Sequence, residues 1–185
     1  MTTETTLAQA VSCEGVGLHS GARAHMRLLP AAAGSGIQFR RADLDGFVVE
    51  ARSLNVAKVS YATSLMKKGV FISTTEHLLS ALMGAGVDNV VVELDNLEVP
   101  ILDGSAAPFI EMIEKAGRRR QQRRRRVMEI VEPLEMREGG KFIGIYPCSE
   151  YRLHYAIDFP HPVIGRQHFH FTLTPDSYRR ELAPA

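Results

Sequence analysis

Apolar and polar positions along this chain recur with two periods, and each change of period marks an element. Short alternating or β-branched runs predict strands at His25–Pro30, Ile37–Arg40, within Val48–Val59 and Ser64–Ile72, and at Asn89–Leu94 and Val99–Leu102. Asn89–Leu94 is almost continuously β-branched, the pattern of a strand buried on both faces. Two stretches switch to helical spacing. Over Ser73–Gly84, positions set at 100° per residue place Leu78, Leu79, Leu82 and Met83 on one side and His77, Ser80, Ala81 and Gly84 on the other. From Asp103 or Ser105 as cap to Gly117 as stop, Phe109, Ile110, Ile113 and Ala116 form a second buried stripe, with Pro108 in the tolerant first turn. Strand patterns resume at Val127–Val131, Leu134–Arg137, Phe142–Tyr146, Tyr151–Phe159 and Gln167–Thr172, with a turn at Glu138-Gly139-Gly140 and a break at Phe159–Pro162. A last helix is expected over Thr174–Glu181. The fold class that follows is α+β.

The first helix raises two readings. Ser73-x-x-Glu76 fits a capping box, in which Glu76 returns a hydrogen bond to the helix start, and His77 is then a solvated imidazole. Alternatively, the small residues beside His77 leave room for something to approach closely, and Glu76 and His77 carry chemistry.

Composition narrows the classes. The chain's 185 residues suffice for one substantial core or two small ones, and its 45% hydrophobic content is ordinary for a folded protein. No apolar run approaches the roughly 20 residues of a membrane span, and Met1–Thr6 lacks a signal-peptide pattern. A cytoplasmic protein without a membrane span is expected. Cys13 and Cys148 show neither redox nor metal spacing. The net charge of +1 conceals a block, residues 118–126, holding seven of the 22 basic residues. Outside it, 15 basic residues face 21 acidic ones. An acidic body argues against a nucleic-acid partner. The block itself reads as a solvated linker, or as a patch for phosphates or anionic lipid. His168 and His170 are two apart, a spacing that puts both on one strand face and can hold a metal, although a plain strand face satisfies it too. His19, between glycines, is placed to touch a ligand, and His161, between prolines, reads as a turn residue.

Five ordered motifs together carry a resemblance: Gly15-Val16-Gly17-Leu18-His19-Ser20-Gly21, Ile72-Ser73-Thr74-Thr75-Glu76-His77-Leu78, Gly86-Val87-Asp88-Asn89, Pro100–Phe109 and Ile157-Asp158-Phe159-Pro160-His161-Pro162. In this the chain resembles the UDP-3-O-acyl-N-acetylglucosamine deacetylases, zinc amidases of lipid A biosynthesis. The resemblance implies two similar two-layer α/β sandwich domains, each a sheet with two helices packed on one face. The expected division is a first domain over 1–117, an arginine-rich linker over 118–126, and the beginning of an incomplete second domain over 127–185. It implies that His77 is a ligand of Zn2+ and Glu76 the general base. Asp158 and Phe159 are expected near the uridine of the substrate, with Lys141 and His19 as further substrate contacts. The family's remaining zinc ligands, a histidine and an aspartate on a later helix, and its general-acid histidine are expected beyond residue 185, in the missing C-terminal half of the same protein. The resemblance thus leaves two outcomes open, the N-terminal part of a zinc-dependent deacetylase or a non-catalytic fragment with residual nucleotide-sugar binding. An arginine-tethered adaptor is the third reading.

Overall fold

The computed structural model describes residues 2–58 and 60–185. The chain divides into two units. One runs through Arg125 and takes in Tyr178–Ala185, and the other is Arg126–Ser177.

The first unit is built on a five-stranded sheet. Its strands are β2 (Val11–Val16), β3 (Arg23–Pro30), β4 (Ile37–Arg41), β5 (Phe47–Glu50) and β9 (Val90–Leu94), ordered β2-β3-β9-β4-β5. Only β4 and β9 run parallel. Central β9 was expected to be buried on both faces, but Val90, Val92 and Leu94 are buried and Val91 and Glu93 are half-buried. Glu93 explains the difference, because it takes ion pairs from Arg27 at 2.9 Å and Arg40 at 2.6 Å on the outer face. On the other face lie two helices packed against each other, α1 (Glu76–Gly84) and α2 (Ala107–Ala116). The α2 stripe is as its spacing predicts: Phe109, Ile110, Ile113 and Ala116 are all buried, and Gly117, at φ 67°, ends the helix. Each large side chain so buried contributes about 1.5–3 kcal/mol.

Two smaller sheets complete this unit. β6 (Val56–Lys58), β7 (Ser64–Lys67) and β8 (Val70–Ile72) form one that leads into α1, and the expected strand end at Val59 lies outside the described residues. The other corrects the reading of the arginine block. It is not a solvated linker but strand β10 (Arg118–Arg124), antiparallel to β1 (Thr3–Leu7). Backbone pairing needs no particular side chain, so the arginines project outward while the main chain is satisfied. Gly86-Val87-Asp88-Asn89 joins this pair to the body. The Asp88 carboxylate accepts the Thr5 N–H at 2.7 Å and an Arg125 guanidinium N–H at 2.8 Å. Asn89 donates to Glu4 at 2.9 Å and accepts the Gly36 N–H at 2.8 Å.

Two further expectations change. Val99–Leu102 is not a strand, since Leu102 has φ 55° and only Glu98 bridges, to Ser73. Val127–Val131 is irregular.

The second unit holds two antiparallel hairpins, β11 (Leu134–Glu138) with β12 (Lys141–Ile145) and β13 (Arg152–Asp158) with β14 (Arg166–Thr172), followed by a short turn of helix, α3 (Pro175–Ser177). Phe171 is its one buried residue. Tyr178–Leu182 then forms a wide helical turn in the first unit, so the expected helix over Thr174–Glu181 is split between the two.

Candidate functional site

The start of α1 is set by strain and by non-local hydrogen bonds. The helix begins at Glu76, with Thr75 as its cap position and no side-chain cap bond. The capping box expected from Ser73 and Glu76 is absent because both side chains have other partners. Ser73 Oγ lies 3.4 Å from Ser64 Oγ, and the Glu76 carboxylate accepts the backbone N–H of Thr63 at 2.9 Å. The Thr75 hydroxyl and backbone N–H both donate to the Thr63 carbonyl, at 3.0 and 3.1 Å. Thr74, just before, sits at φ 56°, a left-handed conformation that costs a non-glycine residue of order 1 kcal/mol.

Glu98 holds that conformation in place. It is buried to 1% exposure, and its Oε1 accepts the Thr74 hydroxyl at 2.7 Å and the His19 N–H at 3.0 Å, while Oε2 accepts the Ser20 N–H at 2.8 Å. Burial alone would raise its pKa. The hydrogen bonds from His19, Ser20 and Thr74 outweigh burial and hold it at about 2. Glu98 is therefore an ionised clamp between the His19 turn and the start of α1. Gly17 makes the clamp possible, since a Cβ there would lie 2.3 Å from Glu98 Oε2. The Glu98 role was not read from the sequence. The signal available was a carboxylate set between Leu97 and the apolar Val99-Pro100-Ile101 run.

His77 is half-buried on the first turn of α1. Leu102, the second residue with positive φ in this region, brings the exposed Asp103 close enough for the two side chains to interact electrostatically. The Asp103 pKa is lowered first by the backbone and hydroxyl hydrogen bonds it accepts from Ser105, both 2.9 Å, and last by His77. Ser105 in turn accepts the Ala107 N–H at 3.2 Å, and the cap position itself is Ala106, just after the expected Asp103 or Ser105. Glu76 and His77 thus open α1 side by side, with Asp103 within electrostatic reach of His77 and the His19 turn tied to the same helix start through Glu98.

The faces of α1 differ from the expected split. Leu78, Ala81 and Leu82 are buried, whereas Met83 is 48% exposed. The space left by Ser80 and Gly84 is filled by Tyr178. That side chain is 1% exposed, its hydroxyl is 2.7 Å from Ser80 Oγ, and a Cβ on Gly84 would lie 2.3 Å from its ring. The Ala183 carbonyl accepts the Ala106 N–H at 2.9 Å, at the start of α2.

Asp158 and Phe159 lie together at the end of β13, Phe159 51% exposed, and Lys141 opens β12. These three belong to the second unit. His161 is a turn residue, as expected, its Nδ1 accepting the Val163 N–H at 3.2 Å. An open groove of about 470 Å³ lined by Glu14, Arg23, His25 and Asp95 lies on the β2–β3 edge and includes none of the candidate residues. Among the described residues, no three His, Cys, Asp or Glu side chains converge as a metal-holding group. The residues in hand therefore do not by themselves fit a closed zinc site.

An α+β fold in which a glutamate–histidine pair opens a helix and a strained Leu102 leads into Asp103-Gly104-Ser105 defines a class of protein. The family profile described as UDP-3-O-acyl N-acetylglycosamine deacetylase (LpxC) matches residues 4–185, and the chain belongs to that family. It is 51% identical over 180 residues to the UDP-3-O-acyl-N-acetylglucosamine deacetylase of Solibacter usitatus (strain Ellin6076), covering 97% of this chain and 61% of the relative. To the proteins of the same name from Anaeromyxobacter sp. (strain Fw109-5) and Thermosynechococcus vestitus it is 44% and 45% identical, over 97% and 100% of this chain and 59% and 64% of those relatives. The chain spans about three-fifths of the length of these relatives.

Proposed function

We propose that this chain is the N-terminal part of an enzyme that hydrolyses the N-acetyl group of UDP-3-O-acyl-N-acetylglucosamine, the committed step of lipid A biosynthesis in Gram-negative cytoplasm. The observation that carries this reading is the consecutive Glu76–His77 pair at the start of α1, its carboxylate held by the Thr63 N–H, in a chain of the deacetylase family. In the proposal the Glu76 carboxylate accepts a proton from the water that attacks the acetyl carbonyl, a transfer worth typically about 10²–10⁴-fold in rate. The Thr63 N–H and the fixed helix start orient that carboxylate. His77 would hold a Zn2+ ion together with ligands from the rest of the relatives' length, and such an ion would supply a water of lowered pKa. His19 contacts the substrate from its clamped turn. Lys141 offers a cation to the diphosphate, and the exposed ring of Phe159, with Asp158 beside it, a stacking surface for uracil.

The absence of three converging donors among the described residues favours a second reading for the isolated 1–185 chain, a binding fragment without turnover. Acetate release from UDP-3-O-acyl-N-acetylglucosamine separates the two. Zinc-dependent release is expected from the protein at its relatives' full length and none from 1–185. Turnover by 1–185 alone overturns the division of labour, and inactivity of the full-length protein with zinc overturns the proposed reaction.

A further inference from the structure

The β13–β14 hairpin is amphipathic by register. Leu153 pairs with Phe171, Tyr155 with Phe169 and Ile157 with Gln167 on one face. The other face carries Arg152 opposite Thr172, His154 opposite His170, Ala156 opposite His168, and Asp158 opposite Arg166. Three of the chain's seven histidines therefore share one side of a single hairpin, all exposed. The His154 and His170 rings have centroids 4.5 Å apart at 88°. Ala156, the smallest side chain of that face, leaves the space beside His168 open.

From this geometry we infer a divalent-metal site on the hairpin, a chelate of His154 and His170 flanked by His168, for ions that prefer imidazole, Cu2+, Ni2+ and Zn2+. Two imidazoles bound through one nitrogen each at about 2.0–2.1 Å, with roughly 90–109° at the metal, place their centroids roughly 4.5–5.3 Å apart. The observed separation of 4.5 Å lies at the lower end of that range, so a small outward rotation of two exposed side chains brings them to it without moving the backbone. No three donors converge there among the described residues, so water completes the shell. The surrounding charges do not block the site. Arg152 is paired with Glu150 at 2.7 Å, and Asp158 lies opposite Arg166 on the far side of His168. Glu76 and His77 are in the other unit, so the hairpin site is independent of the proposed deacetylase reaction.

Titration of the 1–185 chain with Ni2+ and Zn2+ at pH 7.5 tests it, read by calorimetry and by the imidazole resonances in NMR. The expected result is that His154 and His170 shift together in the micromolar range and that His154→Ala or His170→Ala weakens binding at least tenfold. Both positions are exposed, and unchanged far-UV dichroism of the variants confirms that the fold is retained. The inference is overturned if the hairpin variants bind as the wild type does, or if no ion is taken up below 1 mM.

Discussion

Replacing Glu98 by Gln removes the charge of the clamp while keeping its shape. In the folded protein this carboxyl titrates near 2 instead of 4.5, a difference that stabilises the native state by about 3 kcal/mol at neutral pH. The native pKa is depressed, so the contribution is complete above about pH 4.5 and is lost as pH falls from there toward 2. By pH 3 it has shrunk to about 1.5 kcal/mol. Glutamine retains an acceptor for the Thr74 hydroxyl and the His19 N–H but turns an amide NH2 toward the Ser20 N–H, now 2.8 Å from Oε2. Urea unfolding followed by far-UV dichroism should therefore show Glu98→Gln less stable by roughly 3 kcal/mol at pH 7, with the gap narrowing by about half at pH 3. Other carboxylates titrate in both proteins and cancel in the difference. A gap below about 0.5 kcal/mol at pH 7, or one of the same size at both pH values, refutes the clamp.

Other consequences follow from packing. Gly84→Val drives a branched side chain into the Tyr178 ring and should cost about 1–3 kcal/mol, with faster amide exchange at Ala183 and Ala106. Tyr178→Phe, which loses only the bond to Ser80, should cost about 1 kcal/mol by urea unfolding. Burial pushes the Cys13 thiol up to about 11, so iodoacetamide at pH 8 should modify exposed Cys148 at least tenfold faster, as read by peptide mass spectrometry. Replacing the exposed Arg119, Arg120 and Arg124 by Ser should change unfolding free energy by less than about 0.5 kcal/mol. Arg125→Ala, which breaks the contacts to Asp88 and the Gly86 carbonyl, should cost about 1–3 kcal/mol in the same assay.

What could be read from the sequence was what is decided locally. The α2 stripe and the Glu138–Lys141 turn depend on periodicity and on glycine chemistry, and both stand as their spacing implies. The arginine strand could not be read that way. Like charges in a row signal solvation, and the partner that makes them a strand is β1, more than a hundred residues earlier. The capping box failed for a similar reason, because the group Glu76 accepts from is Thr63, thirteen residues upstream. Glu98 required three segments to meet, and the Ser80–Gly84 face required Tyr178 to return to the first unit. Of the candidate site, helical spacing showed only that His77 lies off the apolar stripe. Its expected role, and that of Glu76, came from the ordered motifs of the deacetylase family, to which the chain belongs.

The central claim is that Glu76 and His77 form the first half of a deacetylase site. Acetate release from UDP-3-O-acyl-N-acetylglucosamine by the protein at its relatives' full length, wild type against Glu76→Gln, tests it most directly. The expected outcome is turnover slowed by a factor of about 10²–10⁴, with the substrate concentration for half-maximal rate and the far-UV dichroism unchanged. A variant that turns over within threefold of the wild-type rate would contradict the claim.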